Sequence, residues 1–360
     1  MKKPDHSIQT TSSLRLLAWE ITRQCNLSCT HCRAGARAGP YEEELATSEC
    51  FRLLDHIASF SKPIVILTGG EPLLRPDVFE ISRYGTEKGL RMVMASNGTL
   101  ITHKIAQEMV DSGIKRLSIS IDGANSESHD RFRQVDGAFN GAINGIRCAK
   151  EVGLDFQINT TVTLDNMDEL ASIQDLAVNL GAVAHHIFLL VPTGRGRNLV
   201  DRVLPAMEYE KVLNWLYEGQ GKVPIHIKVT CAPHYYRIMR QRAKEKGETS
   251  THASHGLDAV TRGCLGGIAF CFISHTGDVQ PCGYLELNCG NIRHQSFKTI
   301  WQESEVFKNL RDLNRYKGKC GRCEYRHICG GCRARAYALT GDYLAEEPFC
   351  IYQPSSARKD

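Results

Sequence analysis

Between Leu14 and Val191, apolar runs rich in β-branched and aromatic residues alternate with stretches whose apolar positions recur every three or four residues. The first pattern fits a strand buried on both faces and the second a helix with one apolar side. Their alternation is that of repeated βα units around a parallel sheet. Strands are predicted near Leu14 to Thr22, Pro63 to Leu67, Arg91 to Ala95, Arg116 to Ile121, Phe156 to Val162 and Ala184 to Val191. The intervening helices begin at polar caps, Thr47 or Ser48 before Glu49 and Asp165 or Asn166 before Met167, and they stop near Gly89, Gly113, Gly153 and Gly181. Right-handed crossovers would curl these six units into an open, partial TIM-like (β/α)6 barrel or a wound sheet, with functional loops at the carboxyl ends of the strands.

Beyond Val191 the rhythm breaks into a turn over Pro192 to Arg197, a helix around Ala206 to Glu218, a strand near Ile225 to Val229 and a helix from Pro233 to Lys246. Gly247 to Gly256 is polar and reads as a linker, and the cysteine-rich end after it has few long apolar runs. Such an end would need metal cross-links to supplement a small core. The expected organisation is a polar tail over 1–13, an α/β core over 14–230, a helix and linker over 231–260 and a small cysteine-rich domain over 261–360.

Composition adds little until the cysteines are counted. A chain of 360 residues with 42% hydrophobic and 23% charged residues is globular, and its formal charge of +4, mixed along the sequence, argues for neither nucleic acid nor a membrane surface. No apolar run approaches the roughly 18–20 residues of a membrane span, and the polar start lacks the apolar core of a signal peptide, so a cytoplasmic location is expected. Reduced thiols are the rule there, and 15 of them would be an oxidation liability without ligand work. Cys25, Cys29 and Cys32 stand together, Cys50, Cys148 and Cys231 are scattered, and nine lie between Cys264 and Cys350.

The first cluster, Cys25-x3-Cys29-x2-Cys32, follows the first strand, where a βα loop can fold three thiolates around one corner of a metal cluster. Three ligands leave one iron of a [4Fe–4S] cluster open, whereas a structural zinc site closes with four and would need His31. After the second strand comes Gly69-Gly70-Glu71-Pro72, a tight turn that brings backbone near a ligand and ends in a carboxylate suited to an ammonium group.

Together these motifs resemble the radical S-adenosylmethionine (radical SAM) superfamily. The resemblance implies that the open iron chelates the amino and carboxyl groups of SAM while Gly69, Gly70 and Glu71 hold its amino end. Ser96 and Asn97 after the third strand, Ser118, Ser120 and Asp122 on the fourth, and Asn159 on the fifth would then serve the ribose or methionyl part. His129-Asp-Arg-Phe-Arg133 looks like a family element whose last arginine, Arg133, would fork the SAM carboxylate.

The cysteine-rich end resembles the SPASM extension of the same superfamily, which implies two auxiliary [4Fe–4S] clusters. By analogy Cys264, Cys271, Cys282 and Cys332 would hold one, and Cys320, Cys323, Cys329 and Cys350 the other. Cys289 is spare, or replaces Cys271 if the first loop folds differently. One departure stands out: the last close pair of the SPASM pattern has three intervening residues, and here only Gly330 and Gly331 separate Cys329 from Cys332.

From about Leu14 to Pro354 the sequence resembles a narrower group, radical SAM enzymes that modify tetrapyrroles in the siroheme-derived heme pathway and in heme d1 synthesis, and among them the heme b synthases. The stretches Leu16-Leu-Ala-Trp19, His185-His186 through Arg195-Gly-Arg197, Cys231-Ala-Pro-His234-Tyr235-Tyr236-Arg237 and Cys329-Gly-Gly-Cys-Arg carry it. It implies oxidative decarboxylation of two propionates of iron–coproporphyrin III to the vinyl groups of heme b, with a low-potential donor such as ferredoxin or flavodoxin. A macrocycle with four carboxylates needs cationic forks and an apolar cleft. Arg195, Arg197, Cys231, His234 and Arg237 are the candidate contacts, with Lys228 and Tyr235 near them. His185 and His186, adjacent on one strand, must point to opposite faces. Removal of acetate side chains from a related tetrapyrrole, heme d1-type side-chain modification, peptide modification and a non-catalytic electron carrier are the competing readings.

Overall fold

The computed structural model describes residues 13–247 and 262–355. The polar tail, apart from Ser13, and the linker expected over Gly247 to Gly256, apart from Gly247, lie outside the described residues.

The six strands expected from the sequence form as β1 (Leu16–Thr22), β2 (Ile64–Gly69), β3 (Arg91–Ser96), β4 (Leu117–Ser120), β5 (Phe156–Val162) and β6 (Ala184–Leu189). They pair in parallel in chain order, and β7 (His226–Thr230) continues the run beside β6. On the other edge β8 (Phe270–Ile273) lies parallel to β1, with Leu16 beside Phe270 and Trp19 beside Ile273, and β9 (Val279–Gln280) returns antiparallel. The result is the TIM-like α/β core with a cysteine-rich C-terminal extension, its sheet widened to nine strands in the order β7-β6-β5-β4-β3-β2-β1-β8-β9.

The sheet therefore runs across the boundary expected near 261. Residues after it, among them Cys271, Ile273, Val279, Phe297, Ile300, Trp301 and Phe307, join the main core with Leu17, Trp19 and Val65. Apolar packing, and not metal cross-linking alone, attaches this end of the chain.

The crossover helices are α1 (Thr47–Phe60), α2 (Val78–Glu87), α3 (His103–Asp111), α4 (Ser126–Arg133), α5 (Ala138–Glu151) and α6 (Leu170–Leu180), followed by α7 (Ala206–Gly219) and α8 (His234–Glu245). The first begins one residue early: its cap is Ala46, whose N–H donates to the Glu49 carboxylate at 2.8 Å. The four glycines expected to stop helices all have positive φ, from 70° at Gly153 to 87° at Gly113. Helix residues such as Leu53, Leu54 and Ile57 bury against one face of the sheet. The opposite face carries half-buried positions, Ala18, Ile66, Val93, Ala95, Ser120, Asn159, His186 and Lys228. No described helix is long and apolar enough to cross a membrane.

Candidate active site

Because β1 to β7 are parallel, their exits fall at one end of the sheet, and the loops there assemble the site. The β1 exit carries Cys25, Cys29 and Cys32. Its path is fixed by backbone bonds to the end of α4, Ser28 N–H to Arg133 carbonyl at 3.3 Å and Thr30 N–H to Phe132 carbonyl at 3.1 Å. The sulfurs accept rather than donate: Leu27 N–H reaches Cys25 Sγ at 3.4 Å, Ala36 N–H reaches Cys32 Sγ at 3.4 Å and Arg133 Nη1 reaches Cys29 Sγ at 3.5 Å. Burial pushes the Cys25 thiol up to about 12, further than the Leu27 N–H can offset.

Gly69 and Gly70 do something the sequence did not disclose. A Cβ on Gly69 would lie 2.2 Å from the Thr22 carbonyl oxygen and one on Gly70 only 2.1 Å from that of Gln24. Their own neighbours along the backbone complete the weld, Gly70 N–H to Thr22 carbonyl at 2.9 Å and Glu71 N–H to Gln24 carbonyl at 2.6 Å. The glycines thus join the β2 exit to the thiol loop. Glu71 is fully buried and accepts from Asn97 N–H at 2.7 Å, Ser96 Oγ at 2.9 Å and Leu73 N–H at 3.3 Å. Burial raises its pKa to about 7 against the pull of those donors. Ser96 and Asn97, expected beside the ribose, are spent here on Glu71, and Asn97 Nδ2 also donates to Asn26 Oδ1 at 2.9 Å.

Asp122 and Arg133 are likewise engaged with each other. Asp122 is buried, takes Thr161 N–H at 2.7 Å on one oxygen and ion-pairs with Arg133 Nη2 through the other, with His31 Nε2 at 3.8 Å. The His31 ring packs against that of Phe132, tilted by 36° with centroids 4.5 Å apart. Arg133 Nε is buried without a hydrogen-bond partner and free to serve another acceptor. Ser120 and Asn159, paired in register between β4 and β5, sit half-buried on the open face of the sheet, and Asn159 continues in register to His186 and Lys228. Ser118, two positions back on the same face, is buried. His185 faces the core, its Nε2 against Thr160 Oγ1 at 2.9 Å.

The C-terminal thiols fall into two groups. Cys320, Cys323, Cys329 and Cys350 line one cavity, together with Gly330 and Gly331. Their sulfurs again accept, Cys320 from Glu347 N–H at 3.3 Å and Arg333 Nη2 at 3.5 Å, Cys323 from Tyr325 N–H at 3.4 Å and Cys329 from Gly331 N–H at 3.4 Å. The shortened link works because Gly330 and Gly331 both take positive φ, 76° and 62°, turning the chain sharply into Cys332. In the second group a Cβ on Gly266 would lie 3.5 Å from Cys282 Cβ and 3.9 Å from Cys264 Sγ. Cys332 and Cys282 share a contact cluster there, and Cys231 belongs to it too.

Cys271 does not. It is the inward residue of β8, fully buried in the main core with Cys289 packed nearby, because the strand that carries it is part of the sheet and not a cluster loop. The expected fourth member of this group is therefore misplaced in sequence, and so is its reserve, Cys289.

Three of the expected substrate contacts touch or border the thiol loops. Arg195 straps the thiol loop, donating from Nε to the Cys29 carbonyl at 2.8 Å and from Nη1 to the Ala36 carbonyl at 2.6 Å. His234 and Arg237 border the cavity of the first thiol group, and Arg237 is ion-paired with Glu210 at 2.5 Å. Burial pulls the His234 imidazole down to about 3, so it is neutral. Arg197 is exposed and paired with Glu286 at 3.2 Å, and Tyr235 is buried in α8.

Two buried ion pairs were not anticipated. Glu20 bonds Arg33 at 2.8 Å, His275 at 2.9 Å and Arg23 at 3.0 Å; burial alone would raise its pKa, but these partners hold it near 2. Arg33 also stacks over Phe272 at 4.5 Å and reaches the Gly283 carbonyl at 3.4 Å, which ties the first thiol loop to the residue after Cys282. Arg335 donates to the Leu189, Leu190 and Cys231 carbonyls and pairs with Glu347 at 3.5 Å. The only sequence signal for either is a charged residue inside an apolar or cysteine-rich run.

Among the described residues no group of three His, Cys, Asp or Glu is arranged to hold a single metal ion. All-sulfur donor sets whose sulfurs receive backbone N–H bonds suit iron–sulfur clusters. The Radical SAM superfamily matches over residues 19–177 and the SPASM iron-sulfur cluster-binding domain over residues 264–332. The AdoMet-dependent heme synthase of Nitratidesulfovibrio vulgaris is 57% identical over 340 residues, covering 94% of this chain and 93% of that one. The chain belongs to the AdoMet-dependent heme synthase family. Within the wider superfamily it is 29% identical to the Fe-coproporphyrin III synthase of Methanosarcina barkeri, over 97% of this chain and 91% of that one. The crystal structure of Streptococcus suis SuiB bound to S-adenosylmethionine shares the fold, with a TM-score of 0.74 at 15% identity over 95% of this chain and 78% of that one. Members of this family are radical SAM enzymes that bind SAM, a [4Fe–4S] cluster and auxiliary iron–sulfur clusters.

Proposed function

We propose that this heme synthase relative oxidatively decarboxylates two propionate side chains of iron–coproporphyrin III to vinyl groups, giving heme b. The observation that carries the reading is the 57% identity to a named heme synthase across nearly the whole of both chains. Each propionate loses CO2, one hydrogen atom and one electron as the carbon–carbon double bond forms. SAM and its cluster would supply the hydrogen-abstracting radical, and the auxiliary clusters an outlet for the electron.

The chain's own residues hold these parts in place. Cys25, Cys29 and Cys32 would ligate the SAM cluster, Cys320, Cys323, Cys329 and Cys350 one auxiliary cluster, and Cys264, Cys282 and Cys332 three corners of the other. Glu71 and the unpartnered Arg133 Nε are the groups for the ammonium and carboxylate of SAM, and Ser120 and Asn159 for its ribose. His186 and Lys228, next in register on the open face, offer a neutral donor and a cation to a propionate, with Arg197 at the rim. Residues 14–230 then form the radical core, 231–260 the connection and 261–360 the auxiliary-cluster region. A cytoplasmic location, with ferredoxin or flavodoxin as reductant, keeps the clusters reduced.

Deacetylation is the second reading, favoured by the likeness to Fe-coproporphyrin III synthase, at about half the identity. Anaerobic incubation of the reconstituted, reduced protein with SAM and iron–coproporphyrin III decides it by mass. Two successive losses of CO2 plus two hydrogens are expected. Unchanged porphyrin beside abundant 5′-deoxyadenosine would overturn the decarboxylation reading, and loss of acetate-sized fragments from a siroheme-derived substrate would replace it.

A further inference from the structure

We propose that Cys231, which lies outside both cysteine motifs, is the fourth thiolate of the auxiliary cluster held by Cys264, Cys282 and Cys332. The inference rests on the auxiliary-cluster reading above and completes the ligand set that Cys271 leaves open.

Four observations converge on it. Cys231 shares one contact cluster with Cys282 and Cys332, and the Cβ that Gly266 lacks would touch both Cys282 and Cys264. The ionisable neighbours of Cys231 include Cys332, Cys282, Arg335 and Cys264, whereas those of Cys271 are Cys289 and Arg311. The backbone of Cys231 is left-handed, φ 58°, one of three such non-glycine residues described. A side chain there is strained by the order of 1 kcal/mol, a cost that persists where position matters more than comfort. Finally, its carbonyl is clamped twice, by Arg335 Nη2 at 2.9 Å and Tyr209 Oη at 3.0 Å, so the Cα to Cβ direction is fixed before any metal arrives.

Ligation forms an Fe–S bond as the thiol proton leaves to solvent, so no redox partner is required. The consequence is topological. Cys231 directly follows β7, whose Thr230 and Lys228 face the open side of the sheet, so this cluster is tied by its fourth corner to the mouth of the radical core.

The test compares C231S, C231G, C264S and C271S after anaerobic reconstitution, by iron content and by the electron paramagnetic resonance of the reduced clusters. Glycine accepts the positive φ, so C231G removes the thiol while relieving the backbone, and a folding defect of C231S is recognised by its absence in C231G. Loss or conversion of one cluster signal is expected in both Cys231 variants, with about a third of the iron at risk if three clusters are present. The same component must vanish in C264S and persist in C271S. Retention of the full wild-type signal in C231G, or loss of a different component from that lost in C264S, overturns the proposal. The reading beneath it fails separately: wild-type protein with only the SAM-responsive cluster would show that no auxiliary cluster exists to be ligated.

Discussion

Glu71 is buried among hydrogen-bond donors, and among the described residues no cation shifts its carboxyl. Its carboxyl has a pKa near 7, raised by burial from the ordinary 4.5. The folded state therefore holds the proton more tightly than the unfolded chain. The associated stability is fully present below about pH 4.5 and is lost as pH rises through about 7. Glu71→Gln should flatten that part of the stability profile while costing about 1–3 kcal/mol, because an amide N–H2 would confront the donors of Asn97, Ser96 or Leu73. Thermal unfolding of the reconstituted protein between pH 5 and pH 8, flanking that about 7, measures both, and an unchanged slope in the variant would refute the assignment. At this scale the sequence located the candidate residues in or beside the loops but was a poor guide to what they touch. Glu71 and Asp122 follow strands β2 and β4, and Arg133 ends helix α4. Their partners are other protein groups, since a charged residue in a loop reads as a ligand for something external until three-dimensional neighbours are known.

Connections between elements carry bonds that a linear reading misses. A cationic pair after β6 reads as an anion site, and Arg195 gives Nε and Nη1 to the carbonyls of Cys29 and Ala36, and its backbone N–H to that of Cys32 at 2.9 Å. The β6 exit thereby holds the β1 exit in the shape that gathers three thiols. Gly194 makes this approach possible, since a Cβ there would lie 2.0 Å from the Arg33 carbonyl oxygen. Arg195→Ala should leave the Ala36 carbonyl without a donor and the Cys29 carbonyl with only the Cys32 N–H at 3.3 Å, at a cost of about 2 kcal/mol, and should release iron from the SAM-responsive cluster before the auxiliary ones. Chelator-challenge kinetics followed by electron paramagnetic resonance would show it, and simultaneous loss of every cluster would count against a local strap. Strands β1 to β6 were legible because runs buried on both faces have few other interpretations. Strand β8 was not, because Phe270–Ile273 is only 4 residues long and sits among cysteines whose spacing dominates the reading. The misassigned Cys271 follows directly from the missed strand.

At the scale of the whole molecule, the C-terminal region is fastened to the radical core by three different means: the β1–β8 ladder, the shared apolar core, and buried charges that cross between them. Arg335 is the densest of these crossings. It is fully buried, bonded to the carbonyls of Leu189, Leu190 and Cys231 at the ends of β6 and β7, and paired with Glu347, which in turn accepts Cys332 N–H at 2.8 Å. One guanidinium thus connects two strand exits with two of the thiols grouped around Cys282. Burial opposes its charge, but Tyr209 and Glu347 keep it ionised. Removing it strands a buried carboxylate and the Leu189 and Leu190 carbonyls, while Tyr209 Oη still donates to that of Cys231, so Arg335→Met should cost about 3–5 kcal/mol. Glu347→Gln should cost less, because its amide oxygen still accepts from Cys332. Denaturant unfolding of the anaerobically prepared variants tests the order. A loss below about 1 kcal/mol for Arg335→Met, or a larger loss for Glu347→Gln, would mean that the apolar core alone carries the attachment. The expected order instead makes the seam between the two regions an electrostatic one, placed where the strand exits and the auxiliary thiols meet.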